Sequence, residues 1–275
     1  MEIKKLGNIH EIKFEYSGSD WEQWIFLLSD IHYDSKDCDR EMLKRDLDYA
    51  QSLGAKILIG GDLADCMGGK YDPRTHKGDL RPEYEVANYF DVVEYEAVKF
   101  LKKYSDDIIY MGRGNHEENV LQRHEVDLTN RIARGIKCPA VGDYSGWIRF
   151  SFYNPSGQGK RHANLYRNHG NGGSSPVTRD VISTARNAAI YDADIVWTEH
   201  THTQWDVPLR REKTDKLGSM VYYSQRHVKT GTYNDKPKRG RNQWDSKFGP
   251  PNKGGVLLRF NVEGRRQKLR TRVMI

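Results

Sequence analysis

Residue types that bind metal ions follow five short apolar segments of this chain, at or shortly after the point where each segment ends. The segments are residues 24–29, 56–61, 108–111, 163–168 and 195–199, and they are followed by Asp30 and His32, Asp62, Asn115 and His116, His169, and His200 and His202. Oxygen and imidazole ligands without thiolates suit manganese, iron, zinc or nickel. One such residue after one segment indicates little, whereas five in succession predict a site for two metal ions.

The segments themselves predict the elements that would bring these residues together. Continuous apolar segments of this length are typical of strands buried on both faces. Ligands of open α/β sheets bind beyond the carboxyl ends of such strands. Asp30 and His32, two positions apart, are expected to project to the same side. Gly60 and Gly61 allow a close turn before Asp62, whose two carboxylate oxygens could bridge two ions.

Helical patterns alternate with these strands over the first two hundred residues. Their predicted ranges are 39–53, 83–104, about 119–134 and about 175–191. The last of them opens on Ser175 as a cap, followed by Pro176 in the first turn. Residues 1–29 are expected to form an opening strand or hairpin and then the first core strand. The alternation predicts a largely parallel sheet for this part of the chain.

Two regions depart from this alternation. Residues 68–82 form a long polar loop after the second segment, either a lid or substrate contact or a solvated insertion. From about residue 203 helical patterning disappears, and short strands such as 256–262 alternate with Gly, Pro and Lys turns. Together with residues 146–153 they predict a second, mainly antiparallel sheet packed on the first. The sequence shows neither an internal repeat nor a dividing linker, so we expect a single domain over residues 1–275.

The composition is that of a globular chain. Its 275 residues are 37% hydrophobic and 30% charged, with a net charge of +6 and a pI near 9.0. No segment reaches the roughly 18 apolar residues of a membrane span, and the first residues lack the apolar region of a signal peptide. Cys38, Cys66 and Cys138 are widely spaced, which predicts reduced thiols rather than disulfides or a thiolate zinc site. We therefore expect a cytoplasmic protein.

The order of the motifs resembles that of the calcineurin-like metallophosphoesterases over roughly residues 25–205. In this sequence the motifs are Asp-x-His, Gly-Asp, Gly-Asn-His-Glu, His-Gly and x-His-x-His. Each motif is weak evidence alone, and the ordered set is specific. The resemblance implies a four-layer α/β fold, in which two packed mixed β-sheets are flanked by helices.

The resemblance also implies which residues hold two divalent metal ions, with manganese favoured over iron, zinc or nickel. One ion would be held by Asp30, His32, Asp62 and His202. The other would be held by Asp62, Asn115, His169 and His200. Two ions about 3.5–4 Å apart lower the pKa of a bridging water, whose hydroxide then attacks the phosphorus of a phosphate ester.

Three further residues receive candidate roles at this site. The resemblance assigns His116 as the acid that protonates the departing alkoxide. Asp65 matches the acidic position that pairs with this histidine in many relatives, and an Asp that caps the following turn is the alternative. Arg113, just before the Gly-Asn-His-Glu motif, would bind a substrate phosphate or form a nearby ion pair.

Two positions depart from the family pattern. Glu199 replaces the glycine usual before the last His-x-His, and it would either crowd the site or accept a hydrogen bond from a ligand imidazole. Cys66 stands where the protein phosphatases have an arginine, which argues against that branch of the family.

Basic residues concentrate in the segment 226–270, with Tyr233, Trp244 and Phe248 between them. Basic groups interleaved with aromatic rings suit a nucleic-acid strand, and a solvated loop surface is the alternative. This segment and the missing arginine favour a metal-dependent phosphodiesterase. The alternatives are a phosphomonoesterase, either a nucleotidase or a protein phosphatase, and a catalytically silent binding module of the same fold.

Overall fold

The computed structural model describes residues 1–18, 20–66, 71, 78, 80–155, 160–172, 178, 180–235, 251–263 and 268–275. Within them the strands are β1 (Glu2–Leu6), β2 (Ile9–Glu15), β3 (Glu22–Leu28), β4 (Lys56–Ile59), β5 (Ile108–Met111), β6 (Ser145–Tyr153), β7 (Lys160–Asn168), β8 (Ile195–Thr198), β9 (Trp205–Thr214), β10 (Met220–Lys229), β11 (Val256–Glu263) and β12 (Lys268–Met274). The helices are α1 (Arg40–Ser52), α2 (Tyr89–Leu101), α3 (Asn115–His124), α4 (Leu128–Ile136) and α5 (Val181–Ile190).

The strands form two mixed sheets. A seven-stranded sheet has the order β1-β2-β6-β7-β8-β10-β9, and a five-stranded sheet has the order β12-β11-β3-β4-β5. In the five-stranded sheet β3, β4 and β5 are parallel. In the seven-stranded sheet β7, β8 and β10 are parallel. The predicted fold class, two packed mixed sheets flanked by helices, is confirmed.

The division of strands between the sheets differs from the prediction. Of the five apolar segments, the first three lie in the five-stranded sheet and the last two in the seven-stranded sheet. The strand β11 near the end of the chain returns to the five-stranded sheet, antiparallel to β3. The expectation of one parallel sheet over the first two hundred residues was therefore wrong. Central strands of both sheets are covered on both faces, so their apolar segments look alike in the sequence.

The two sheets pack around a shared apolar core. Leu27 and Leu58 of the five-stranded sheet belong to the same buried cluster as Phe150 and Trp197 of the seven-stranded sheet. Adjacent residues on β8 alternate between the faces, because Val196 belongs to a separate cluster on the other side. This packing brings the carboxyl ends of β3, β4 and β5 next to those of β7 and β8.

Helices cover the outer faces of both sheets. Leu47 of α1, Val93 of α2 and Ile132 of α4 share a buried cluster with Ile57 of β4, so these helices cover the five-stranded sheet. The helix α5 lies beside the seven-stranded sheet, where Arg211 of β9 donates a hydrogen bond to the carbonyl of a residue in α5 (3.1 Å).

The helix boundaries agree with the prediction best for α1. The Asp39 side chain caps it by accepting a hydrogen bond from the backbone N–H of Met42 (2.9 Å), and Gly54 follows its end at φ +63°. The helix α2 is shorter than predicted, because 3-10 turns at Pro82–Tyr84 and Lys102–Tyr104 lie on either side of it.

The other two predicted helices differ from the structure. The third is divided into α3 and α4, because Glu125 adopts a left-handed conformation (φ 56°) and Asp127 caps a new helix through the backbone N–H of Asn130 (3.0 Å). The fourth begins at Val181, and its predicted opening at residues 175–176 lies outside the described residues.

Most of the predicted loop at 68–82 also lies outside the described residues. Among the helices that the structure does describe, none is both long and apolar enough to cross a membrane.

Candidate metal centre

The predicted ligands sit in turns of unusual backbone conformation at the ends of their strands. Five of the seven have positive φ angles: Asp30 (51°), His32 (50°), Asp62 (57°), His200 (76°) and His202 (53°). Residues other than glycine rarely adopt this left-handed backbone conformation. The turn after β3 is fixed to the turn after β4, since the backbone N–H groups of Ile31 and His32 both donate to the carbonyl of Asp62 (2.8 and 3.1 Å).

One group of candidate ligands consists of Asp30, His32 and His202, whose ligand atoms all lie within 4.8 Å of one another. The Nε2 atoms of His32 and His202 are 3.4 Å apart, and His202 Nε2 is 3.6 Å from Asp30 Oδ1. Asp30 is oriented through its other oxygen, which accepts hydrogen bonds from the Ser29 hydroxyl (2.5 Å) and the His200 backbone N–H (3.1 Å).

The second group consists of Asp62, His169 and His200, again with ligand atoms within 4.8 Å of one another. His169 Nε2 lies 3.2 Å from Asp62 Oδ2 and 3.0 Å from the amide oxygen of Asn115. Asn115 is the first residue of α3, so the start of that helix delivers this oxygen to the site. All seven predicted ligand positions are thus brought together, in two adjacent groups.

The chemistry of these groups fits divalent cations. Carboxylate and amide oxygens and imidazole nitrogens converge, with ring nitrogens 3.2–3.6 Å from carboxylate oxygens. Asp30 Oδ1 is buried and accepts no hydrogen bond from the described residues. A buried carboxylate oxygen without a donor is costly, and a cation would satisfy it.

The buried carboxylates shift the pKa values of the histidines between them. Burial by itself would lower the pKa of His169, but the adjacent Asp62 and Glu199 carboxylates outweigh it and raise that pKa to about 10. For His32, burial is likewise outweighed, chiefly by the hydrogen-bonded Asp65, and the pKa rises to about 9. His200 differs, because burial and the neighbouring His169 lower its pKa to about 4.

Metal binding to the metal-free chain is therefore expected to release protons. At pH 7.5 the raised pKa values keep His32 and His169 protonated, and each must lose a proton before it can coordinate a cation. The apparent affinity should rise with pH up to about the pKa of these groups. Manganese titrations by calorimetry in buffers of different ionisation enthalpy would measure the protons released, and a value near zero would contradict the expectation.

His116 lies at the edge of the two groups and is partly exposed. Its Nε2 faces the site at 3.8 Å from Asp62 Oδ2, and its backbone N–H donates to Asp62 Oδ1 (3.0 Å). The ring is oriented by a hydrogen bond from Nδ1 to the backbone carbonyl of Asp65. The Asp65 carboxylate itself is closer to His32 Nδ1 (2.9 Å) than to His116 Nδ1 (3.7 Å). The structure therefore pairs this carboxylate with His32, where the prediction paired it with His116.

Arg113 forms ion pairs, one of its two predicted alternatives. Its guanidinium lies 3.2 Å from Glu118, 3.2 Å from Asp127 and 3.3 Å from Asp143. Three carboxylates around one guanidinium satisfy its charge, so Arg113 braces the turn before Asn115.

Two residues that orient the site, Glu117 and Arg167, were given no role in the sequence analysis. Glu117 is buried and accepts hydrogen bonds from the backbone N–H groups of Asp62 (2.9 Å) and Ala64 (3.3 Å). Arg167 of β7 is fully buried and pairs with Glu199. A charged residue inside an apolar strand is the sequence signal that would have found Arg167.

Glu199 accepts a hydrogen bond from a ligand imidazole, the second of its two predicted alternatives. Its Oε2 lies 2.9 Å from Nδ1 of His169. The ring that it orients is thus that of His169, directly after β7, and not that of the adjacent His200.

An open cavity of about 720 Å³ adjoins the second group. Asn115 and Tyr144 line it beside the candidate ligands, together with Asn119, Gln122 and Arg123 of α3. The Tyr144 ring packs edge-on against His169, with centroids 5.3 Å apart. A cavity of this volume beside the candidate ligands has room for a small organic molecule.

Comparison with known proteins gives a family match and distant structural likenesses. A sequence model described as calcineurin-like phosphoesterase matches residues 24–236. A Thermotoga maritima protein solved by NMR in solution is 14% identical over 92% of this chain and 98% of its own, with a TM-score of 0.34. GAP50, the anchor in the inner membrane complex of Plasmodium, is 13% identical over 92% of this chain and 84% of its own, with a TM-score of 0.42.

These structural likenesses are too distant to bear on function, and no curated protein matches significantly. The family match is different, because it covers the five strand ends and all the predicted ligands. The chain belongs to the calcineurin-like phosphoesterase family.

Proposed function

We propose that this protein is a dinuclear metal-dependent phosphodiesterase that hydrolyses P–O bonds. The observation that carries the proposal is the convergence of seven oxygen and imidazole donors from five strand ends into two adjacent groups. Asp30, His32, Asp62 and His202 would hold one divalent ion, and Asp62, Asn115, His169 and His200 the other. When bound, such ions supply Lewis acidity, lowering the pKa of water and stabilising charge on the phosphoryl oxygens.

The residues around the ions orient the site and move the proton. Glu117 holds the backbone of Asp62, and Asp65 fixes the ring of His32 through Nδ1, leaving Nε2 directed at the cluster. The Asp65 carbonyl holds Nδ1–H of His116, so Nε2 of His116 is the atom that faces the substrate. We assign to it the donation of a proton to the leaving alkoxide.

The arginine side chains next to the ligand turns favour a diester substrate over a monoester substrate. A terminal phosphate carries more negative charge than a diester and gains more from a free guanidinium. Arg113 is held by three carboxylates, and Arg167 is buried against Glu199. The position of the protein-phosphatase arginine is occupied by the buried Cys66. The metal requirement of the proposal is independent of this preference.

Manganese reconstitution is expected to load close to two ions per chain and to give hydrolysis of bis(p-nitrophenyl) phosphate that excess chelator abolishes. The diester should be turned over faster than p-nitrophenyl phosphate, and iron, zinc and nickel complete the metal panel. Metal content by mass spectrometry and nitrophenolate release by absorbance are the measurements. Preference for the monoester would favour the phosphomonoesterase alternative. Two bound ions without hydrolysis of either ester would favour the silent binding module.

Nucleic acid is the proposed diester class, on the strength of the basic segment 226–270 alone. Residues 236–250 and 264–267 of that segment lie outside the described residues, and with them Trp244, Phe248 and most of the basic positions. Tyr233 is described and is fully buried, so its ring is not among those that could stack on a base.

A further inference from the structure

A buried carboxylate connects the second ligand group to the strands that carry it. The Glu199 side chain is fully buried, and its Oε2 accepts from the backbone N–H of Gly61 (2.8 Å) while lying 2.9 Å from His169 Nδ1. Because Nδ1–H is donated to Glu199, Nε2, which faces Asp62 and Asn115, is the ring nitrogen left to bind a cation. The tautomer of this ring is thereby set by Glu199.

The same carboxylate is held from its other side by Arg167. The guanidinium donates through Nε to Oε1 (2.7 Å) and through Nη2 to Oε2 (2.9 Å), which is a two-point arrangement that fixes the carboxylate plane. Arg167 also donates to the backbone carbonyls of Arg113 (2.9 Å) and Asp143 (2.8 Å). Arg167 thus also contacts the turn before Asn115 and the segment before β6.

Arg167 lies in β7 and Glu199 directly after β8, and together they contact the turns after β4, β5 and β7. Glycines make room for it, since a Cβ on Gly60 would come within 2.5 Å of the Glu199 carboxyl and one on Gly112 within 2.3 Å of the Arg167 guanidinium. A buried ion pair is weak evidence for a contribution to stability, because desolvation offsets the attraction. Its contacts point instead to the placement of ligands.

We propose that Arg167 and Glu199 are positioning residues for one of the two metal ions, the one held by Asp62, Asn115, His169 and His200. This inference rests on the proposed function. The ligands of the other ion have partners outside the pair: Asp30 is held by Ser29, and His32 by Asp65. The shared Asp62 is held through its backbone N–H by Glu117. Loss of the pair should therefore weaken one ion selectively.

Manganese binding to Glu199→Gln tests this inference. The amide keeps the shape of the side chain but offers one acceptor oxygen where Gly61, His169 and Arg167 now share two. We expect one of the two dissociation constants to rise by roughly 10–100-fold, the effect usual for the partner of a ligand histidine, and the other to change less than about threefold. Calorimetry and the paramagnetic spectrum of bound manganese measure both sites without turnover.

Companion variants separate positioning from folding. Glu199→Gln with Arg167→Met removes both charges, so the result does not depend on tolerating an unpaired buried guanidinium. Arg167→Lys retains the positive charge. It should therefore keep part of the manganese affinity that the double variant loses. Glu11→Gln is the matched control, because Glu11 is a buried carboxylate in β2 that accepts from the Ser151 hydroxyl (2.7 Å) and lies in another part of the sheet. It should leave both manganese sites unchanged.

The outcomes distinguish this inference from the proposed function. A wild-type chain that binds fewer than two ions would contradict the proposed function itself. A wild-type chain with two ions, combined with a Glu199→Gln variant in which both sites weaken equally or neither weakens, would overturn the role of the pair.

Discussion

Asp62→Asn is expected to lower kcat/KM for bis(p-nitrophenyl) phosphate on the order of 10³-fold or more, at least the effect of removing a single group that stabilises the transition state. Asp62 is fully buried; its Oδ2 faces His169 at 3.2 Å, and its Oδ1 accepts from the backbone N–H of His116 (3.0 Å). The amide removes the negative charge and places N–H donors among ligand nitrogens. Because this carboxylate is assigned to both ions, metal content should fall below two per chain.

Asp107→Asn supplies the matched control for that change. Asp107 pairs with Lys56 at 2.7 Å beside the amino-terminal ends of β4 and β5, the opposite end from the candidate ligands. Its loss should leave turnover and metal content unchanged. Normal turnover by Asp62→Asn would refute the dinuclear assignment.

His116→Ala is expected to cost about 10²–10⁴ in rate for a diester with an alkyl leaving group, the contribution of a positioned proton donor. With p-nitrophenolate the loss should be much smaller, since that leaving group departs without a proton. Metal content should not change, because His116 is proposed as a proton donor and not as a ligand. Rates for both leaving groups and metal analysis of the same preparations give the result.

The control for this variant comes from the same helix. His124 ends α3, and its ring packs against Phe90 with centroids 4.9 Å apart. His124→Ala should retain the rate for both leaving groups. If His116→Ala lost the same factor with both esters, or lost metal as well, the assignment of His116 as the acid would be withdrawn.

The strand ends were predictable from sequence because apolar segments and the polar residues that terminate them are local features. The ligand positions follow from them: Asp62 comes after the segment that forms β4 and His169 after the segment that forms β7. The helix caps are local in the same way. Asp127 caps α4 and so divides the third predicted helix in two. Aspartate is a common helix cap, and the prediction did not use it.

The partners of those residues were less predictable, because they depend on which strands become neighbours. Glu199 reaches His169 and Arg167 only because β7 and β8 are parallel, with Asn168 beside Thr198. The sequence has no feature that assigns β7 and β8 to one sheet and β4 to the other. For the same reason the sequence paired Asp65 with His116 by family pattern, whereas the fold brings its carboxylate to His32.

The left-handed turns at the candidate ligands have a cost in stability. Each non-glycine residue held at a positive φ costs on the order of 1 kcal/mol, and the five at this site together cost roughly 5 kcal/mol, which is comparable with the whole stability of a small domain. Substitution by glycine would relieve this strain at every one of them. Asp and His nevertheless occupy all five turns, as expected if their side chains hold metal ions.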